Sequence, residues 1–413
     1  MDAIRKRVVP ENGMAFVDAK GHAYAAFGKN DSGKGAQAMT SEYEIMRGDL
    51  VNIFYRASLG LDQDYGDDNN DDKKHDLKKE NAVTSADGHV RYEFGVMVTS
   101  LSQHDDKGVD VTFSDGRKVR YDLVVGADGQ WSRTRRMIFG YDNTNRDQGS
   151  GAITDPLFKS LGLFMGFYRL PRTDSDDGWM KWHIMPRKRG LFTRSADPRA
   201  PLQVYMALLS GTNSRKGEKE DRYGLRSALK QSVKVQKEAF IQAYADHHGW
   251  RVDELVQGLR DNVSDEEFYA TEIGQVHCPD GKLAVGRVVL LGDAGYCPSP
   301  VTGMGTTLAL TGAYILAGEL TRRRGNDSGD GDHAPEALQA YTRVVKPFVV
   351  EGQKLMAGVP GILYAETSWG LWILTMCISL LSKLRIVDIV VRLMPENKGG
   401  LVIPEYPDLN LDA

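Results

Sequence analysis

The 413-residue sequence contains only three cysteines, Cys278, Cys297 and Cys377. Their number is odd and none forms a Cys-x-x-Cys pair, which argues against a disulfide framework and against a zinc site. The scarcity of cysteine therefore favours a reducing, cytoplasmic setting. No apolar segment of the secretory type follows Met1.

The sequence also lacks a strong excess of charge of either sign. The formal net charge is -4, and 26% of the residues are charged. The basic clusters at residues 187–189 and 322–324 are short and isolated, so we predict no nucleic-acid surface. With 41% hydrophobic residues, the chain is typical of soluble globular proteins with one large or two medium domains.

No apolar run is long enough to cross a bilayer. Residues 369–382 contain no charge, but these 14 residues are fewer than the about 20 that a spanning helix needs. We therefore predict no integral membrane span and expect this segment to be a buried helix of the core. A weak peripheral membrane contact through residues 369–393 is the alternative.

The most informative segment of the chain is residues 286–320, which predicts a strand, a glycine-rich turn and a helix. The aliphatic run at 288–291 is typical of a strand buried on both faces, and Asp293 follows it. Gly303 and Gly305 leave the first backbone amides of the helix bare, so that a phosphate or an electron-rich ring edge can approach. An ordinary β-α unit would give the same pattern, since glycine-rich turns are weak motifs.

A second segment, residues 121–135, has the same organisation. A buried-type strand at 123–125 ends in Gly-Ala-Asp-Gly, with Asp128 and Gly129 at its end, and Ser132 is a suitable helix cap. The two segments, in this order, resemble the paired signatures of class A flavoprotein monooxygenases. Residues 44–50, Glu-Ile-Met-Arg-Gly-Asp-Leu, resemble the family helix whose arginine reaches FAD. The resemblance covers about residues 1–320 and is strongest to the branch of tetracycline-inactivating and natural-product monooxygenases.

The resemblance implies an α/β fold with a Rossmann-like FAD-binding domain of the glutathione reductase type, an antiparallel substrate sheet and a C-terminal helical segment. The implied boundaries are 1–150 and 276–333 for the FAD-binding domain, 151–275 mainly for the substrate domain and 334–413 for C-terminal helices. The family's opening β-α-β unit with its GxGxxG turn is not found, as if roughly 50 to 60 residues, about one such unit, were absent. A misplaced start in the gene model is the favoured explanation, with a deliberate fragment or a natural chain that binds flavin poorly as the others.

The family's cofactor residues can be carried over to matching positions, which are Arg47, Asp128, Gly129, Asp293, Gly303, Met304, Gly305 and Thr306. The resemblance implies that Asp293 accepts a hydrogen bond from a ribityl or ribose hydroxyl and that residues 303–306 offer amides to the pyrimidine edge. It places Arg47 along the adenosine diphosphate and Asp128 at the dinucleotide arm, close to the nicotinamide donor. From the residues alone, Asp293 and Asp128 remain possible turn caps, and Arg47 a solvated helix residue.

Substrate contacts are expected on aromatic strands between residues 151 and 210. Predicted strands at 163–170, 179–185, 190–193 and 203–209 carry the candidate substrate residues Trp182, His183 and Tyr205. Side chains alternate along a strand, so Trp182 and His183 are expected on opposite faces. His183 is a candidate base for a phenol or a structural histidine. No catalytic residue is assigned, and no metal site is predicted.

Other local patterns predict the remaining elements. Hairpins are expected at residues 14–27 and 109–121, and a helix at 41–55 with Ser41 and Glu44 as a capping box. Further helices are expected at 236–249 and 252–259. A linker at 322–333 is expected to lead into a last helix at 335–357. Residues 62–80, with eight acids and four lysines, are expected to be an exposed insertion.

The function that the resemblance implies is an FAD-dependent monooxygenase consuming NAD(P)H and O2. In such enzymes a flavin C4a-hydroperoxide transfers its distal oxygen to an electron-rich substrate. The expected substrate is an apolar small molecule, polyketide-like or aromatic, that is hydroxylated or epoxidised. The alternatives are another flavin oxidoreductase of the same fold and a catalytically silent relative.

Overall fold

The computed structural model describes residues 2–28, 44–61, 83–85, 88–104, 107–141, 155–212, 219–325, 332–386 and 401–409. Within these ranges the strands are β1 Gly13–Val17, β2 Ala23–Gly28, β3 Val83–Ser85, β4 Gly88–Val90, β5 Val98–Ser102, β6 Val109–Phe113, β7 Lys118–Tyr121, β8 Val124–Gly126, β9 Phe158–Leu170, β10 Met180–Met185, β11 Arg189–Arg194, β12 Leu202–Leu209, β13 Gly211–Thr212, β14 Lys219–Glu220, β15 Tyr269–Val276, β16 Ala284–Val285 and β17 Val288–Leu290. The helices are α1 Asp2–Arg5, α2 Arg47–Ser58, α3 Arg133–Ile138, α4 Leu225–Ala228, α5 Val233–Tyr244, α6 Val252–Asn262, α7 Asp293–Tyr296, α8 Gly305–Gly325, α9 Ala334–Gly352 and α10 Ser368–Lys383.

A seven-stranded sheet in the order β15-β9-β12-β11-β10-β1-β2 forms the larger layer. All neighbours are antiparallel except β1 and β10, which run parallel over Met14–Phe16 and Met180–Trp182. The predicted antiparallel sheet and both predicted hairpins are confirmed. The hairpin β1–β2 extends this sheet, although it comes from the opening part of the chain.

Alternation along the strands gives the sheet two different apolar faces. Leu191, Val204 and Met206 lie on the face that α5 and α6 cover, where they contact Phe240 and Leu255 within one buried cluster. The opposite face, which we call the aromatic face, carries Phe167, Trp182, Phe192 and Tyr205. Helices α5 and α6 do not cover this second face. At the end nearest β1 and β2 it is covered by α10, whose Leu371 and Leu374 pack in one cluster with Phe16 and Trp182.

The smaller unit is a three-stranded sheet in the order β16-β17-β8, packed against α8 and α9. Its core contains Tyr296, whose hydroxyl lies 3.2 Å from the hydroxyl of Tyr341. Gly312 leaves room for this ring, because a Cβ at residue 312 would stand 1.9 Å from the Tyr296 hydroxyl oxygen. Together, the parallel strands, the larger sheet and the helices confirm the predicted mixed α/β fold.

Several predicted helix boundaries differ from the structure, among them 236–249, observed as Val233–Tyr244, and 335–357, observed as Ala334–Gly352. Helix α2 begins at Arg47, so the capping box was wrong: Glu44 precedes the helix and pairs with Arg194, and Ser41 lies outside the described residues. Helix α8 extends to Gly325 into the predicted linker. Pro347 lies inside α9, and the acidic stretch 62–80 lies outside the described residues.

The expectation that residues 369–382 are buried was wrong. Helix α10 covers β2 with one face only, and Ile378 is its one buried residue. Trp369 and Trp372 are 70% and 65% exposed. Apolar composition indicated a core helix, but composition alone does not determine how much of a helix surface is covered. Among the described residues, no helix is both long and apolar enough to cross a membrane.

Candidate functional site

The two signature segments lie side by side because their strands are neighbours. β8 and β17 pair in parallel, with Val124 opposite Val288 and Gly126 opposite Leu290. The amide of Leu291 continues the ladder with a 2.9 Å bond to the carbonyl of Gly126. Since parallel strands end at the same edge of a sheet, the segments that follow them emerge together.

Arg135 joins these two segments through a fully buried guanidinium. It donates to the carbonyl of Gln130 at 2.6 Å in the first segment and to the carbonyl of Ala294 at 2.5 Å in the second. It also pairs with Asp155, whose side chain is 2% exposed. A guanidinium suits this role because it is planar and its N–H donors point in fixed directions, so each hydrogen bond also fixes the orientation of the others.

Asp128 is held by the helix that follows it. Its Oδ1 accepts a 2.5 Å bond from the Ser132 hydroxyl, and its Oδ2 accepts bonds from the amide and hydroxyl of Thr134 at 2.9 and 3.0 Å. Burial acts to raise the pKa of Asp128, but these hydrogen bonds outweigh it, and the pKa lies below its ordinary value. The carboxylate therefore stays ionised at neutral pH and fixes the start of α3.

Asp293 stands at the start of α7 and next to the start of α8. A Cβ built on Gly305 would lie 3.9 Å from its Oδ1. Burial raises the pKa of Asp293, while the Cys297 thiol and the positive charge of Arg47 act to lower it. The carboxyl thus faces the glycine turn, where it can accept a hydrogen bond from a hydroxyl-bearing ligand.

The glycines of the candidate cofactor site combine a left-handed backbone with open space. Gly129 and Gly303 have φ of 78° and 68°, and nothing in the described chain lies within 4 Å of a Cβ built on either. Just beyond, Thr306 at the start of α8 is exposed. The first amides of a helix have no partner within the helix, so this turn offers hydrogen-bond donors to an incoming group.

Arg47 lies between the cofactor segments and the larger sheet. Its charge acts on Asp293 and also on the phenol of Tyr205. The chain just before it is anchored to the sheet, since Glu44 pairs with Arg194. Arg47 is exposed, so its side chain is available to a ligand that lies between the two units.

The structure separates the three candidate substrate residues. Trp182 and Tyr205 lie on the aromatic face, where Val301 of the glycine turn packs against the same apolar cluster. His183 points to the opposite side, with Nδ1 3.0 Å from the carbonyl of Val17. The prediction that Trp182 and His183 face opposite ways is therefore confirmed, and only the tryptophan is on the side of the turn.

His183 instead lines a cavity of about 550 Å³ at the ends of β1 and β10. Its Nε2 lies 3.3 Å from Nε2 of His247, and α10 forms the other wall through Leu371, Trp372 and Met376. Burial lowers the pKa of His183, so the ring is neutral near pH 7. This position favours the structural role for His183.

Several residues around the site were not singled out from the sequence. Phe192 stacks on Tyr205 with ring centroids 4.9 Å apart, and buried Tyr364 packs near Trp182. Phe192 could have been found by alternation along its strand, and Arg135 by its place in the first segment. Tyr364 and Asp155 carry no local signal, because each reaches the site only through tertiary packing.

Two further side chains follow Asp293 in the chain and are buried. The ring of Tyr296 is buried in the core of the smaller unit, where it contacts Tyr341. Cys297 is buried as well and contacts the carboxyl of Asp293; burial raises the pKa of its thiol to about 12, so the thiol stays protonated at neutral pH. Neither residue is placed to donate a proton to a ligand at the turn.

Comparison with known proteins decides the family. The family model described as "FAD binding domain" matches residues 77–350, which include both signature segments. The chain is also 32% identical over 415 residues to the FAD-dependent monooxygenase asL6 of Sarocladium schorii, covering 100% of this chain and 86% of that protein. The chain belongs to the class A FAD-dependent monooxygenases.

Other relatives of this monooxygenase agree with the assignment. The flavin-dependent monooxygenase eupH of Phoma sp is 30% identical over 376 residues, covering 89% of this chain and 76% of that protein. Among solved structures, tetracycline destructase Tet(51) superimposes with a TM-score of 0.61 at 24% identity, covering 98% of this chain and 84% of that one. That structural likeness supports the fold alone. The chain is therefore an oxidoreductase whose family cofactor is FAD.

Proposed function

We propose that this monooxygenase consumes NAD(P)H and O2 to hydroxylate or epoxidise an apolar aromatic or polyketide-like molecule in secondary metabolism. The observation that carries the proposal is the contact of Val301, from the glycine turn, with the cluster that holds Trp182 and Tyr205. This contact brings the candidate cofactor turn to the edge of an aromatic surface. The cysteine scarcity favours the cytoplasm as the compartment of the reaction.

The described residues fit the flavin end of FAD. Left-handed Gly129 and Gly303 leave room that a side chain would fill, and Asp293 faces the same turn. We assign Asp293 to a ribityl or ribose hydroxyl and the amides of Gly303, Met304, Gly305 and Thr306 to the pyrimidine edge, where negative charge is stabilised by a helix N-terminus. When bound, FAD would supply the redox chemistry that activates O2.

The remaining cofactor contacts are assigned in the same way. We place Arg47 along the diphosphate, since it is exposed and close to Asp293. Asp128 is placed at the dinucleotide arm, where its ionised carboxylate also fixes α3 and, with Gly129, shapes the approach of the nicotinamide donor. Arg135 acts as a positioning residue, because it holds Gln130 and Ala294 on either side of this approach.

The aromatic face orients the substrate and excludes water. Tyr205 donates a 2.5 Å bond to Gln203 and stacks on Phe192, so its ring is held in one orientation. Burial raises the pKa of Tyr205, which keeps the phenol neutral at physiological pH. A neutral, rigid aromatic surface favours an apolar planar substrate and offers few groups that would retain water.

These assignments imply the following division of the chain. We assign residues 1–150 and 276–333 to the FAD-binding domain, 151–275 mainly to the substrate domain and 334–413 to the C-terminal helices. Strands β1 and β2 join the substrate sheet from the first of these ranges. The domains therefore share elements at their junction, where the proposed site lies.

The names of relatives support the reaction class. The matches include monooxygenases of Sarocladium schorii, Phoma sp and Cercospora beticola, the last 28% identical over 378 residues and named monooxygenase CTB7. Flavin-dependent monooxygenases from unknown prokaryotic organisms also match, at up to 29% identity. All of these proteins are named monooxygenases, and a monooxygenase inserts one oxygen atom into its substrate.

The test is oxygen insertion into a defined probe. Purified protein with bound FAD is given NADPH or NADH, ¹⁸O₂ and one of three probes: 2-naphthol, 1,8-dihydroxyanthraquinone or tetracycline. We expect probe-stimulated oxidation of the nicotinamide and a product that carries one ¹⁸O atom. Stimulated oxidation without label in any product would contradict monooxygenation, and absence of bound flavin would contradict the cofactor assignment.

A further inference from the structure

Helix α10 is rich in apolar residues, but the protein covers only one side of it. Leu371, Leu374 and Ile378 turn inward against the cluster that contains Phe16 and Phe27. The hydroxyl of Ser382 donates a 3.0 Å bond to the carbonyl of Ala26 and accepts a 3.1 Å bond from its amide. The helix is therefore fixed along the edge strand β2, and its outer side has a constant orientation.

The outer side carries an unbroken apolar stripe. The stripe consists of Trp369, Trp372, Met376, Leu380 and Leu384, each at least half exposed. Their spacing of three or four residues places them on one face of a helix. A 16-residue helix is about 24 Å long, so the stripe is far longer than an isolated exposed side chain. Such a surface requires a partner.

Charge around the stripe is mainly basic. Residues 367–386 contain no aspartate or glutamate, and Lys383 and Arg385 are exposed at the far end of α10. At the near end, the amides of Arg187 and Lys188 bond to the carbonyls of Glu366 and Ala365, which places two further basic residues there. Arg187 pairs with Asp246 and Arg222 pairs with Glu366, so these charges offset one another and Lys188 supplies the basic charge at this end.

We propose that the outer face of α10 docks on an anionic lipid surface, with the helix lying in the plane of the interface. Tryptophan is favoured at that depth because its ring is apolar and its N–H is polar, and basic residues at both ends complement acidic headgroups. The adjoining cavity beside Trp372 and Met376 is an irregular hollow that fluid acyl chains can fill. This contact is independent of the proposed reaction.

The experiment is vesicle co-sedimentation of the full chain with its flavin. The vesicles contain phosphatidylcholine alone, or phosphatidylcholine and phosphatidylserine at 7:3. We expect binding that is at least fivefold tighter to the anionic vesicles, because each basic residue near such a surface contributes about a fivefold gain. Raising the salt concentration is expected to remove this preference but to leave the apolar part of the binding.

Two variants and a matched control assign the binding to α10. Trp369→Ser/Trp372→Ser is expected to bind at least tenfold more weakly to both kinds of vesicle. Lys383→Gln is expected to lose only part of the anionic preference. Phe94→Ser removes an aromatic residue that is 64% exposed on another part of the chain and is expected to bind as wild type does. Far-UV circular dichroism and flavin absorbance show whether each variant is folded.

Three results would overturn the proposal. The first is a wild-type protein that binds neither kind of vesicle, and the second is a double variant that binds both as tightly as wild type. The third is a dimer in analytical ultracentrifugation that Trp369→Ser/Trp372→Ser converts to a monomer, since the stripe would then be an interface between two copies. If the double variant does not fold, the salt dependence and Lys383→Gln still test the charge complementarity.

Discussion

Arg135 donates a hydrogen bond of 2.5 Å to the carbonyl of Ala294, and so joins the first signature segment to the second. Its other nitrogens bind the carbonyl of Gln130 and the carboxylate of Asp155. The guanidinium is completely buried, so no water can replace a lost partner without a change in packing. The two segments that carry the proposed cofactor residues are therefore linked through one residue.

We expect Arg135→Lys to weaken both folding and flavin binding. A lysine can satisfy one of these acceptors but cannot reach all three, and loss of a partner from a buried pair costs about 3 kcal/mol of unfolding free energy. Urea denaturation measures this loss, and titration of the apoprotein with FAD measures the affinity. Arg133→Lys, two residues earlier in the same helix, is the control. An unchanged FAD dissociation constant in Arg135→Lys would contradict the positioning role.

Gly303→Ala is expected to reduce the affinity for FAD. The loss of affinity is expected to be larger than the small loss of folding stability can account for. Gly303 has φ of 68° and an open Cβ position, so an alanine strains the backbone by about 1 kcal/mol and also fills the proposed approach of the cofactor. Gly60→Ala is a matched control, because Gly60 has φ of 65° and an equally open Cβ position at the end of α2. Equal FAD affinity in the two variants would place the flavin elsewhere.

Trp182→Leu and His183→Gln are expected to affect different properties of the enzyme. Trp182 lies on the aromatic face, so its loss is expected to raise KM for an aromatic probe about tenfold, equivalent to roughly 1.4 kcal/mol. His183 faces the other side, so His183→Gln is expected to change KM less than twofold. Steady-state kinetics with 2-naphthol as the substrate measure KM for both variants. A larger KM effect for His183→Gln would move the substrate to the cavity beside His247.

Much of the fold could be predicted from local sequence patterns. The strands before Asp128 and Asp293 were found because a short aliphatic run followed by glycine is a strong local signal. The alternation of Trp182 and His183 was predicted for the same reason, since it follows from strand geometry alone. Which of the two residues approaches the glycine turn could not be predicted, because this depends on where Val301 packs.

The errors have a common physical origin in tertiary contacts. Glu44 has the spacing of a helix capping residue, but its pairing with Arg194 on β11 places it ahead of the helix. Residues 369–382 have a core-like composition, yet β2 is an edge strand and covers only one side of α10. The several bonds of Arg135 depend on segments more than 150 residues apart in sequence, so no local pattern identifies them.

The His183–His247 pair is expected to make stability depend on pH. The Val17 carbonyl can only accept, so Nδ1 of neutral His183 carries the proton and its Nε2 accepts from Nε2–H of His247. Burial, and then the nearby His183, lowers the pKa of His247 to about 4. Between pH 6.5 and about 4 the unfolded chain therefore binds a proton at this position that the folded chain does not, and stability falls as the pH falls.

His247→Gln keeps a donor toward His183 but removes this titration. We expect its unfolding free energy, measured in urea between pH 7 and pH 4.5, to fall less steeply with decreasing pH than that of wild type. His248→Gln is the control, because His248 is an exposed neighbour that contacts Asp253 at the surface. If His247→Gln and wild type showed the same slope, the pair would not be neutral in the folded protein. A steeper slope for His247→Gln would mean that protonated His247 stabilises the fold.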